Sequence, residues 1–208
     1  MTRRKFSVCS PRRPLLIVVA APSGAGKSTL CRRLLADEPR MVYSVSCTTR
    51  PPRGNEQDGR DYHFLSPAEF RRRLRRGCFL EHAMVHGHHY GTLRAPVLRA
   101  LRQGRDVLMD IDVQGAAQVR RAVRHGRNAL LRAALVDIFI APPSMRELRR
   151  RLECRHEDAP EEIRRRLRNA RIEMSRRREF RHVIVNDDLE TAYRELRAIL
   201  DAARGQPG

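Results

Sequence analysis

The stretch "LLIVVAAPSGAGKST", Leu15 to Thr29, runs from seven apolar residues straight into a loop of small residues that ends in one lysine and two hydroxyls. An apolar run of this length, bounded by Pro and Gly, reads as a strand buried on both faces. The loop departs from the pattern G-x-x-x-x-G-K-[ST] only at its first position, where Ala21 stands in place of glycine. The change is mild, because Pro22 already pushes the residue before it into an extended backbone that alanine adopts freely. Gly24 and Gly26 remain to turn backbone N–H groups onto a phosphate at the start of the next helix. Lys27 is expected to reach β- and γ-phosphate oxygens, and the Ser28 hydroxyl a magnesium ion. Pro22, Ser23, Gly24, Ala25, Gly26, Lys27, Ser28 and Thr29 are therefore read as a cradle for a nucleoside triphosphate. The rest of the chain has to supply the phosphoryl acceptor.

Outward from this loop, short apolar runs recur at "VLMDID" (107–112), "LVDIFIA" (135–141) and "HVIVN" (182–186), with a weaker one at "MVYSVS" (41–46). Helical patterns lie between them: one from Lys27, then 94–103, 144–154, 161–178 and 189–203. Strands alternating with helices imply an α/β fold, a parallel sheet covered on both faces. Two regions break the alternation. Residues 47–93 are rich in Pro, Gly and polar aromatics and read as an inserted lobe. Residues 150–168 read as an Arg- and Glu-rich helical hairpin with few apolar anchors, the character of a lid. This divides a domain over 14–204 into a core (14–46, 94–149 and 169–204), the lobe and the lid, with 1–13 a disordered basic tail.

Composition narrows the classes. At 208 residues, 41% apolar and 32% charged, the chain suits one globular domain. No apolar run approaches the roughly 20 residues needed to span a bilayer. "RRPLLIVVAA" imitates a secretory signal, but cleavage after it would cut into the phosphate loop, so it is read as a strand. Five cysteines (Cys9, Cys31, Cys47, Cys78, Cys154), odd in number and without a C-x-x-C pair, imply reduced thiols in a cytoplasmic protein. "HGHH", ending at His89, has no second cluster at ligand spacing and is not read as a metal site. The net charge of +19 invites a nucleic-acid reading, yet 41 of the 43 basic residues are Arg and they are spread along the chain. Nucleic acid is therefore expected to bind only weakly and nonspecifically. Against that background, a lysine at position 27 stands out as a site that needs a compact ammonium.

In "SVSCTTRPPRGNEQDGRDYHF" (44–64), two prolines between Arg50 and Arg53 favour polyproline II, which places both guanidinium groups on one side of a stiff arm. Such a pair suits a phosphate dianion, with Tyr62 as a further donor. Asp110 and Asp112, two apart at a strand end, are expected to share a face at the carboxyl edge of the sheet. Arg151 and Arg155, four apart, share a helix face, with Arg166 across the turn.

With "PSGAGKST", "FLEHAMVHGHHYGT", "DIDVQG", "APPS", "RLECR", "EEIRRRL" and "VIVNDD" following in order, the sequence resembles guanylate kinase from Leu15 to about Leu200. The resemblance implies a three-layer P-loop NTPase core with an inserted nucleoside-monophosphate-binding lobe and a helical lid. It also implies transfer of the γ-phosphoryl group of ATP to GMP, with Mg²⁺. Lys27, Arg53, Arg155 and Arg166 would be the catalytic residues, the last two closing as arginine fingers supplied in cis. Arg50, Arg53, Tyr62 and Tyr90 would hold the GMP phosphate beside Glu56, and Ser46, Glu81 and Thr92 would read guanine. Asp110 would lie on the acceptor side, and Asp112 near the metal, binding it directly or through water. Asn186 and Asp187 would approach adenine, while Asp188 caps the last helix. Acceptance of dGMP and the oligomeric state are left open. Family lids usually carry glycine where this chain has Cys154, and often at His156, and residues 119–134 are longer than the usual connection. Three other readings compete: a kinase for a ribose bisphosphate, a non-catalytic module on the same scaffold, and an RNA-binding protein. The guanine-reading set opposes the first, and retention of Lys27, Arg155 and Arg166 opposes the second.

Overall fold

The computed structural model describes residues 12–85, 87–154 and 159–205. The chain runs β1 (Leu16–Ala20), α1 (Lys27–Asp37), β2 (Met41–Tyr43), β3 (Cys47–Thr48), β4 (His63–Phe64), α2 (Pro67–Arg75), β5 (Phe79–Val85) and β6 (His88–Leu93). It continues through α3 (Arg94–Arg102), β7 (Asp106–Asp110), α4 (Val113–His125), α5 (Ala129–Ala134), β8 (Leu135–Ala141), α6 (Met145–Glu153), α7 (Pro160–Ser175), β9 (His182–Val185) and α8 (Leu189–Gly205).

Five strands form a parallel sheet in the order β2-β7-β1-β8-β9. The period of two along β1 explains the layers. Leu15, Ile17 and Val19 pack with Leu30 and Leu34 of α1 and Leu196 and Leu200 of α8. Leu16, Val18 and Ala20 turn the other way, onto Val97 and Leu101 of α3, Val119 of α4 and Leu131 of α5. Both faces are covered, as the unbroken apolar runs require. The expected fold class is the observed one. Residues 119–134 form the end of α4 and the whole of α5, whose Leu131 and Ala134 are buried in this second layer.

Element ends shift for local reasons. The 41–46 run is a strand only to Tyr43; Ser44 still donates to the Leu108 carbonyl, and then the chain leaves for a second sheet. That sheet, in the order β4-β3-β6-β5, occupies the 47–93 insertion and packs Cys47 and Phe79 around Phe70 of α2. The 161–178 pattern ends at Ser175 and passes into a 3-10 turn at Arg177–Glu179. Positions 150 and 168 fall within α6 and α7, and this pair is less bare than expected: Leu148, Leu152, Leu167 and Ala170 form an apolar seam between the two helices. No described helix is long and apolar enough to cross a membrane.

At the amino edge of the sheet, Asp106 is 1% exposed and accepts the Leu15 N–H at 2.9 Å and Arg204 Nη2 at 2.7 Å. Glu38 takes the other Arg204 nitrogen at 3.1 Å, and Arg12 pairs with both acids. Arg12, assigned above to the tail, is thus pinned to the core; residues 1–11 lie outside the described residues. The cluster ties the start of β1 to β7 and to the last turn of α8. Removing one member of a buried, hydrogen-bonded ion pair leaves its partners uncompensated. Asp106→Ala is expected to destabilise the fold by about 3 kcal/mol in urea unfolding. Glu161→Ala, which breaks an exposed pair with Arg164, should change stability by less than about 1 kcal/mol.

Candidate active site

The phosphate loop leaves β1 at Ala20 and turns on Gly24 and Gly26, at φ of 92° and 91°, where only glycine sits without strain. Gly26 is the N-cap of α1 and no side chain caps that helix, which leaves the first-turn N–H groups open to an anion. A cavity of about 580 Å³ opens here, walled by Ala21 to Gly24, Gly26 to Thr29, Arg32, Asp110, Asp112 and Glu173. Ala25 does not reach it. Its N–H goes to the Pro22 carbonyl at 3.1 Å and its carbonyl accepts from Asn186 Nδ2 at 2.8 Å, so both backbone groups are already used. Asn186 is buried beneath the loop and braces it, so close that a Cβ on Gly26 would collide with its amide. Asp187 is exposed, and its carbonyl and that of Asn186 accept from Arg151 at 3.4 and 3.0 Å. Asp188 accepts the Thr191 N–H at 2.8 Å and caps α8.

A second cavity, of about 210 Å³, lies between the parallel sheet and the inserted one, with Ser46, Tyr62, Glu81 and Tyr90 on its wall. Arg50 is 5% exposed and held on every side. Its Nε donates to Tyr90 Oη at 3.2 Å, its Nη2 to Glu56 at 2.8 Å, and its guanidinium lies 5.4 Å from the centre of the Tyr62 ring. The other Glu56 oxygen accepts the Arg53 N–H at 2.8 Å. Glu56 therefore offers this cluster an anion of its own, and the pairing with Arg50 pulls its carboxyl below the usual range. Arg53 joins through its backbone alone, because the turn closed by Glu56 N–H on the Arg53 carbonyl (3.0 Å) leaves its side chain exposed, without a hydrogen bond among the described residues.

Glu81, 6% exposed, stands opposite Thr92 in the β5–β6 register. Burial raises its carboxyl above the ordinary range, Asp112 adds to the rise, and the Thr92 hydroxyl eases it. That hydroxyl is itself buried without a well-formed hydrogen bond among the described residues. The cavity wall thus carries one buried carboxylate, a group suited to a ligand's polar edge.

Asp110 and Asp112 wall both cavities, as their spacing implied. The Lys27 ammonium pairs with Asp110 and reaches the Ile111 carbonyl at 3.3 Å. Asp112 caps α4 with one oxygen, on the Gly115 N–H at 2.7 Å, and leaves the second unbonded among the described residues. Arg166 extends from α7 to the Ser23 hydroxyl at 3.3 Å, while Arg155 and His156 lie outside the described residues.

Glu173 was not anticipated. Its spacing of seven from Arg166 puts it on the same face of α7, and that was the available signal. Burial pushes its carboxyl up to about 7 against the pull of Lys27, with Asp112 adding to the rise. Below its ordinary value of 4.5, Glu173 is protonated folded and unfolded alike. As pH rises toward about 7 the unfolded chain gives up the proton first, so stability falls, and above 7 the loss is complete. Glu173→Gln should therefore raise Tm at pH 8 more than at pH 5, whereas an equal shift at both would mean that the carboxyl titrates normally.

Known proteins with this arrangement are numerous. The family model for guanylate kinase matches residues 12–203. The chain is 51% identical over 187 residues to the guanylate kinase of Nitratidesulfovibrio vulgaris, covering 90% of this chain and 86% of that protein. It is 49% identical over 189 residues to that of Polaromonas sp., covering 91% and 87%. Among solved structures, guanylate kinase from Anaplasma phagocytophilum superposes with a TM-score of 0.69 at 33% identity, covering 94% of this chain and 88% of that one. On the strength of its fold, its paired cavities and these likenesses, the chain belongs to the guanylate kinase family.

Proposed function

We propose that this chain transfers the γ-phosphoryl group of ATP to GMP, giving ADP and GDP. The observation that carries this reading is the wall shared by the two cavities. A phosphate loop opens on one side of Asp110 and Asp112, and a cavity carrying the buried Glu81 carboxylate opens on the other. A triphosphate in the first and a monophosphate in the second would meet at that wall.

Guanine presents N1–H and N2–H₂ donors beside an O6 acceptor. A carboxylate takes both donors, and a hydroxyl from Thr92 or Ser46 serves O6. Adenine lacks the donor pair and would leave Glu81 buried and unpaired, the kind of mismatch that discriminates strongly. The GMP phosphate would displace Glu56 from Arg50 and take Tyr62 and Tyr90 as further donors. Arg53 would have to swing in from solvent.

No general base is needed, because the nucleophile is an oxygen of a phosphate already ionised near neutral pH. The task is to bring two anions into line and balance their charge. Lys27 would release Asp110 for the β- and γ-oxygens, and Arg166, already at Ser23, would turn onto the transferring group together with Arg155. Closure of the α6–α7 pair would exclude water. Ser28 and the open oxygen of Asp112 share the phosphate cavity and fit a magnesium ion carried in by the triphosphate, with Asp112 acting directly or through water. When bound, that ion would neutralise charge on the β- and γ-phosphates. A cytoplasmic setting accords with these substrates.

The reading is tested by ADP release from Mg²⁺–ATP with GMP, AMP, UMP, dTMP and ribose 1,5-bisphosphate offered separately. Turnover is expected with GMP alone, with at least about a 10³-fold loss of kcat in Lys27→Ala. In Glu81→Gln, kcat/KM for GMP should fall about 100-fold. Folded protein that turns over none of these acceptors would overturn it.

A further inference from the structure

Strand β5 carries Glu81 on the edge of the inserted sheet, bonded on one side to β6. The register slips between Phe79 and Glu81, a bulge that bends and twists the strand just where the carboxylate must be aimed. The outer edge of β5 is not bare. Gln118 of α4 donates from Nε2 to the His82 carbonyl at 2.7 Å and accepts the His82 N–H on Oε1 at 3.1 Å. Its amide thus does for His82 what the peptide of a neighbouring strand would do.

Gly115 lies three residues earlier, on the same face of α4. A Cβ there would stand 3.1 Å from Glu81 Oε2, so the helix leaves room for the carboxylate at one position and grips the adjoining backbone at the next. The same helix begins at Asp112, on the wall of both cavities. We infer that Gln118 is a positioning residue for base recognition: it fixes the β5 backbone at His82 so that the Glu81 carboxylate meets both donors of a guanine edge. A two-point contact demands close angular tolerance, which a strand held on one side only does not supply. Gln118 touches neither nucleotide in this scheme and acts through Glu81, so the inference rests on the guanine reading proposed above.

Gln118→Met keeps length and volume and removes both hydrogen bonds. KM for GMP should rise about ten-fold, and the preference for GMP over IMP, which lacks the 2-amino donor, should narrow by a similar factor, while KM for ATP stays at the parent value. Glu81→Gln, measured alongside, separates the two claims. If Glu81→Gln erases the preference and folded Gln118→Met leaves it intact, the role of Gln118 is overturned and the guanine reading stands. If Glu81→Gln leaves the preference unchanged, the guanine reading fails and the inference falls with it. Should Gln118→Met not fold, Gln118→Glu, which keeps the acceptor and loses the donor, carries the same test.

Discussion

Lys27 and Asp110 meet because β1 and β7 are parallel neighbours whose carboxyl ends stop level, with Val19 in register with Asp110. Everything chemical in the molecule is arranged around that ion pair. The loop after β1 delivers an ammonium, the end of β7 delivers a carboxylate, and Asp110 stands on the wall shared by the two cavities. Helix α1 begins directly at the loop after β1, so the lysine and the open helix terminus arrive together. The pair is only partly exposed, at 19% and 18% for the two side chains, yet neither partner is sealed in.

The surplus of positive charge has little to do with this site. Some of the arginines are paired along their own helices, two to a carboxylate: Arg150 and Arg151 with Glu147, Arg165 and Arg166 with Glu162, Arg72 and Arg73 with Glu69. Such exposed pairs add little to stability. What distinguishes Arg50 is burial among aromatics, and what distinguishes Lys27 is the loop that presents it at the start of α1. A net charge of +19 therefore says less about function than where two of the cations are enclosed.

Legibility in the sequence followed the range of the forces involved. β1, β7, β8 and β9 showed as apolar runs to within a residue or two, because burial on both faces leaves a continuous trace. The phosphate loop showed because its glycines and lysine are contiguous. The inserted sheet did not resolve into strands: β3 and β4 are two residues long, too short for any period to register. Contacts that cross the fold were the least legible. Nothing local marks Asn186 as the brace of a loop 161 residues earlier, or Gln118 as the partner of His82. Nothing in "RPPR" itself marks Glu56 as the acceptor of both the Arg50 guanidinium and the Arg53 backbone N–H.

The two helices over the crevice carry opposing demands. The apolar seam of Leu148, Leu152, Leu167 and Ala170 packs α6 against α7. Their attachment to the loop is polar: Arg151 on the carbonyls of Asn186 and Asp187, and Arg166 on Ser23. Leu148 and Leu152 also back the loop directly, since a Cβ on Gly24 would meet both at 3.1 and 3.0 Å. Those two leucines also belong to the seam, so the α6–α7 pair rests on the loop at Gly24 through apolar side chains and is fastened at Ser23, Asn186 and Asp187 through polar ones.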